Sequence, residues 1–178
     1  GVLAAALRAC GREEEWAAAA ERELALIATH PELRDHTPLE YQRFLREELA
    51  RILDRVLGDP EGALERVREL CDDPRLAQGG VPLRIQEHLH DLLRRIGRQA
   101  ELSRRLTGFL ADGAGTPRDW LELATLREDG QSDWTGACSA YREAERDPAL
   151  QLDAIRGRRR CAERLRDDAA LALALRDE

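Results

Sequence analysis

The stretch TPRDWLELATLREDGQSDWTGACSAYREAERDP, residues 116–148, decides the reading of the fold. Thr116-Pro117 opens a helix, because proline at the first helical position has a fixed φ suited to it and lacks an N–H that would have had no partner there. Trp120, Leu123, Ala124 and Leu126 then recur at helical spacing, which lines apolar side chains along one side of a helix. The chain turns around Gly130. A second helix carries Trp134, Ala137, Tyr141 and Ala144 and stops at Asp147-Pro148. Two short helices with one apolar stripe each cannot bury those stripes alone, so the unit needs neighbours of its own kind.

The same grammar recurs upstream. Thr37-Pro38-Leu39-Glu40 reads as a capping box with proline at the first helical position. Leu45, Leu49, Ile52, Leu53 and Val56 form the stripe that follows. Gly58-Asp59-Pro60 ends that helix and begins the next, with Asp59 as N-cap. Ala63, Leu64, Val67 and Leu70 share a face, and the helix ends near Asp72-Asp73-Pro74. Val81-Pro82 opens a helix with Ile85, Leu89, Leu92, Leu93 and Ile96, which Gly97 ends. Leu102, Leu106, Phe109 and Leu110 mark the next, which stops at Asp112-Gly113. The first pair runs from Leu3 to Ala9, past Gly11, and then from Trp16 to Ala28 before His30-Pro31. A fifth starts at Leu150 and includes Ala169 to Leu175.

The mid-pair glycines Gly11, Gly58, Gly97 and Gly130 are 47, 39 and 33 residues apart. The pair-ending Pro31, Pro74, Gly113 and Pro148 are 43, 39 and 35 apart. An uneven two-helix period of this length is the mark of a degenerate helical solenoid. Composition agrees: 35% of the chain is charged and only 4% aromatic. Ala, Leu, Glu and Arg are good helix formers, and strand-favouring residues are scarce. The fold expected is all-α, one domain over residues 1–178, with nine or ten helices in pairs at about 1–31, 37–74, 82–113, 116–148 and 150–178.

The fourth pair resembles a tetratricopeptide repeat. Trp120, Leu123 and Ala124 stand at that family's mutual spacing, and Arg127 falls where the family has Tyr. Ala137, Tyr141, Ala144 and Pro148 fit its second helix. The second pair resembles it through Leu49, Ala50, Leu53, Ala63, Val67, Leu70 and Pro74. In both pairs the two alanines are 13 residues apart, one more than the family pattern. The third pair is a looser match, through Leu89, Leu93, Leu102, Leu106 and Phe109, with His90 in a small-residue position. In the first pair Trp16 takes such a position. HEAT-like packing is the structural alternative. The resemblance implies a superhelix of antiparallel pairs whose first helices line a concave groove.

On that register the groove-facing residues are Phe44, Glu47, Arg51 and Arg55 in the second pair. In the third they are Arg84, Glu87, Asp91, Arg94 and Arg95. In the fourth they include Arg118, Leu121, Thr125 and Glu128. The groove is rich in arginine, which suits bidentate contact with an acidic segment or a chain's C-terminal carboxylate. The competing reading pairs these arginines with Glu47, Glu87 and Asp91 inside the array.

The function expected is a scaffold or adaptor that binds a protein or peptide, not an enzyme. The alternatives are an accessory domain of a larger enzyme or transcription regulator, and a structural array that self-associates into a homo-oligomer. The net charge of −7 argues against nucleic acid and anionic membrane as partners. No run of apolar residues is long enough to span a bilayer. Val2 to Cys10 faintly suggests a lipoprotein signal, but Arg8 interrupts it. All 28 basic residues are Arg, with no Lys, Asn or Met, which reads as the codon bias of a GC-rich bacterial genome. The missing Met leads us to expect a fragment of a longer protein.

Cys10, Cys71, Cys138 and Cys161 lack ligand spacing and read as thiols in a reducing cytoplasm. His30 and His36 form no ligand pattern; His88 and His90 fall on different helix faces, His90 in a helix interface and His88 exposed. No metal or cofactor is expected. Asp72-Asp73 and Asp167-Asp168 sit at helix boundaries rather than in a completed metal motif, and no phosphate loop or nucleophile elbow is present. The cluster Arg156-Gly157-Arg158-Arg159-Arg160 reads as a solvated face paired with Glu163 and Asp167, with phosphate contact as the alternative.

Overall fold

A computed structural model describes residues 12–177, so the first helix expected in the opening pair, with Cys10 and Gly11, lies outside the described residues. Ten α-helices and one π-helical turn make up the described residues, and no strand occurs among them. The helices are α1 (Glu13–Thr29), α2 (Pro31–His36), α3 (Leu39–Arg55), α4 (Pro60–Asp72), α5 (Leu83–Ile96), α6 (Gln99–Ala111), α7 (Pro117–Thr125), α8 (Trp134–Ala144), α9 (Gln151–Leu165) and α10 (Asp168–Asp177). The π turn, Leu126–Gln131, continues directly from α7. The chain forms two compact units that divide after Ile96. The boundary falls inside the third expected pair, residues 82–113.

In the first unit α1 packs on α3, α3 on α4 and α4 on α5. The core is built from the stripes read in the sequence. Leu45, Leu49, Ala50, Ile52 and Leu53 of α3 meet Ala63, Leu64, Val67 and Leu70 of α4, and Ile85, Leu89, Leu92 and Leu93 of α5 are buried beside them. Ala50 and Ala63 are fully buried, and their small side chains let the helices approach. Each leucine so buried contributes about 1.5–3 kcal/mol relative to an exposed one.

In the second unit α7 packs on α8, α8 on α9 and α9 on α10, while α6 leans on α7 and the π turn. Leu102, Leu106, Phe109, Leu110, Leu123, Ala124, Ala137, Tyr141 and Ala144 are its buried apolar residues from α6 to α8.

Helix ends follow local chemistry. Asp59 accepts from the Gly62 N–H at 2.9 Å and Asp133 from the Gly136 N–H at 2.9 Å. Thr116 and Asp119 form a reciprocal capping box ahead of α7. Gly97 stops α5 with φ +78°, a conformation a side chain would resist.

Four sequence expectations are corrected. α1 does stop before His30-Pro31, but Pro31 also opens a short helix, α2, that the sequence reading did not place. Thr37 does not cap α3: its hydroxyl donates backwards to the Leu33 carbonyl at 2.6 Å, and α3 begins after Pro38 with no side-chain cap. Val56, expected in the buried stripe, is 46% exposed and caps the end of α3 at Arg55. The turn around Gly130 is a π-helical turn that ends at Ser132 in the left-handed region, φ +53°.

Candidate docking face on α3 and α5

Eight of the ten predicted partner-binding residues lie on α3 and α5, in the first unit. Phe44 is 43% exposed and stacks on Tyr41, ring centroids 6.5 Å apart. Glu47 sits one turn further along α3. Its carboxylate accepts from Arg84 Nε at 2.7 Å and Arg84 Nη2 at 2.9 Å, the two-pronged geometry that suits guanidinium and carboxylate. This pairing holds Arg84 charged, raising its pKa above the usual arginine value.

Two turns on, Asp54 is the second anchor, its side chain only 7% exposed. It accepts from Arg95 Nη1 at 2.6 Å and from His88 Nε2 at 3.3 Å. The Arg95 guanidinium is also 3.6 Å from Asp91, and its pKa is raised, mainly by Asp54. Arg51 turns along its own helix to Glu48. Arg55, Glu87 and Arg94 are exposed. Arg84 and Arg95 thus pair with acidic groups inside the protein, as the competing reading had it for Glu47 and Asp91. Asp54 is the partner the sequence did not supply. His88, expected exposed, is half-buried against it, while His90 is buried as expected.

Near the start of α3 and α5 the face opens into a pocket of about 350 Å³. Phe44, Leu70, Leu76 and Ile85 give it an apolar lining, and Glu40, Arg43, Glu47 and Arg84 are its charged residues. Arg43 builds one wall: its Nε and Nη2 donate to the Leu76 and Gln78 carbonyls, each at 2.6 Å, and fasten the turn after α4. Phe44, Glu47 and Arg84 are therefore brought together, while Arg51, Arg55, Glu87, Arg94 and Arg95 lie outside the pocket.

In the second unit Arg118 is exposed on the first turn of α7 and Leu121 is half-buried. Thr125 is exposed and donates to the Leu121 carbonyl. Glu128, expected in the groove, is buried instead, because the π turn rotates it inward. Its carboxylate accepts from the Tyr141 hydroxyl at 2.5 Å and from Arg160 at 2.7 and 2.9 Å. The Arg160 bond holds the Glu128 carboxyl below the usual carboxylate range. Burial and the same carboxylate push Tyr141 up to about 12. The basic cluster is accordingly not a uniform solvated face. Arg159 reaches Glu163, but Arg158 is buried against Glu145 and Arg160 is committed to Glu128. The sequence signal for this site was Gly157, a glycine inside a helix, which leaves room for the Tyr141 ring.

No group of three or more metal-binding side chains occurs among the described residues. Among them, too, no helix is long and apolar enough to cross a membrane. No protein family, curated protein or solved structure matches the chain.

Proposed function

We propose that the chain is a tetratricopeptide-like helical repeat module whose task is to bind a segment of another protein, with the face of α3 and α5 as its docking surface. The observation that carries this reading is the pocket beside Phe44. It joins exposed aromatic surface, an apolar lining and a charged rim on rigid helices, the combination that recognition sites use. Buried alanines at 50, 63, 124 and 137 support the repeat assignment, since they stand at its close-approach positions. Contacts that run mainly between sequence neighbours, and short connections, are what antiparallel repeat pairs require. A module of this kind works by binding and not by catalysis. The free thiols of Cys71, Cys138 and Cys161 are in keeping with the cytoplasm.

Peptide-display selection against the whole protein tests the reading. Enrichment on the wild type that is lost on a Phe44→Ala variant is the expected result. Equal enrichment on both proteins, or none on either, would overturn it.

A further inference from the structure

The pocket between α3, α4 and α5 has a chemistry more specific than protein binding, and its open charge is not the one the arginine-rich sequence leads one to expect. Arg84, though exposed, is paired two-pronged with Glu47, and Arg43 donates to two backbone carbonyls. The Glu40 side chain, on the rim and exposed, has no hydrogen bond or ion pair among the described residues. Its carboxylate is therefore the rim group available to a ligand. The wider field agrees. Residues 1–96 hold 19 acidic and 14 basic side chains, so they carry −5 of the chain's −7. Such a field draws in positive charge and disfavours an acidic segment.

The lining sets the other half of the recognition. Phe44 is 43% exposed at the pocket, and Leu70, Leu76, Val81, Pro82 and Ile85 complete its apolar lining. A volume of about 350 Å³ is near the lower end for recognition pockets and matches a single large side chain better than a folded surface.

We propose that this pocket takes one large apolar side chain from a partner protein's segment, and that a lysine or arginine beside that side chain pairs with Glu40. The inference rests on the binding role proposed above and names its ligand. Burial of the apolar side chain against Phe44 and Ile85 supplies affinity, and the Glu40 pair selects the segment and its direction. A carboxylate-bearing segment would meet Glu40 as a like charge and find Arg84 already engaged.

The test uses fluorescent heptapeptides, acetylated and amidated so that their ends carry no charge, titrated into the whole protein and followed by anisotropy. Three probes suffice: leucine flanked by arginines, leucine flanked by glutamates, and alanine flanked by arginines. The first should bind at least about tenfold more tightly than either of the others, a difference that a single buried anchor or a single charge pair supplies. Glu40→Arg should reverse the preference between the two leucine probes, and Phe44→Ala should weaken the first about tenfold. Both residues are exposed, so circular dichroism should be unchanged. Tighter binding of the glutamate probe, or a preference indifferent to Glu40→Arg, would overturn the proposal and leave the binding role standing. Absence of binding by all three would overturn it too; the binding role would fall with it only if display selection also failed. Self-association of the free protein that Glu40→Arg abolishes would assign the pocket to a second copy and end the proposal.

Discussion

At the scale of the residue, Gly157 shows how one missing side chain organises its surroundings. A Cβ there would lie 2.3 Å from Tyr141 Cζ. The ring cannot easily retreat, because its hydroxyl is bonded to Glu128, which Arg160 holds in turn. Gly157→Ala should therefore cost about 1–3 kcal/mol despite alanine's better helix propensity, read as a lower denaturant midpoint. Glu128 makes a pH-dependent contribution with a definite sign. Its folded pKa lies below the ordinary 4.5, so the stabilisation is complete above 4.5 and is lost as pH falls through the folded value. Glu128→Gln should lower stability at pH 7 by about 1–3 kcal/mol, tempered by the half-exposed Arg160, and the gap from wild type should close as the pH falls through the folded value. Cys161 is fully buried, and burial pushes its thiol up to about 12. Of the three described cysteines it should be the slowest to react with a thiol reagent in native buffer.

At the scale of the element, spacing and punctuation made most helices legible, and side-chain partners did not. Pro60 after Asp59 and Pro117 after Thr116 each predicted a helix start that the cap geometry realises. Thr37-Pro38 carried the same signature, yet Thr37 bonds backwards, because α2 ends there and offers its carbonyl first. The π turn was illegible, since an added residue per turn changes which side a residue faces without changing the apolar spacing before it. That is why Glu128 was assigned to a groove and is buried. Asp54 was missed for a related reason. It lies on the polar side of α3, and only the placement of α5 makes it the anchor for Arg95 and His88. Close approach of helices through alanine was legible, and it makes a prediction. Ala137 is fully buried on α8, which packs against both α7 and α9. Ala137→Leu should overpack that position and cost about 1–3 kcal/mol in thermal or denaturant unfolding.

At the scale of the whole molecule, the two compact units divide the work differently. The second commits its buried Glu128 and Arg158 to internal ion pairs, with Arg160 and Glu145. The first holds most of the net negative charge and the pocket beside Phe44. The resemblance to a repeat family drew attention to α3 and α5. The arginines that made the face look receptive to acids are mostly engaged within it, in part with Glu47 and Asp91 as the competing reading held, and with Asp54, which the sequence did not single out. Binding on this face is the central claim, and an amide nitrogen–proton correlation titration tests it most directly. A peptide selected on the whole protein should shift resonances around Glu40, Phe44, Glu47 and Arg84 and leave those of α8 and α9 in place. Shifts centred on α8 and α9, with the α3 and α5 signals unmoved, would contradict the account.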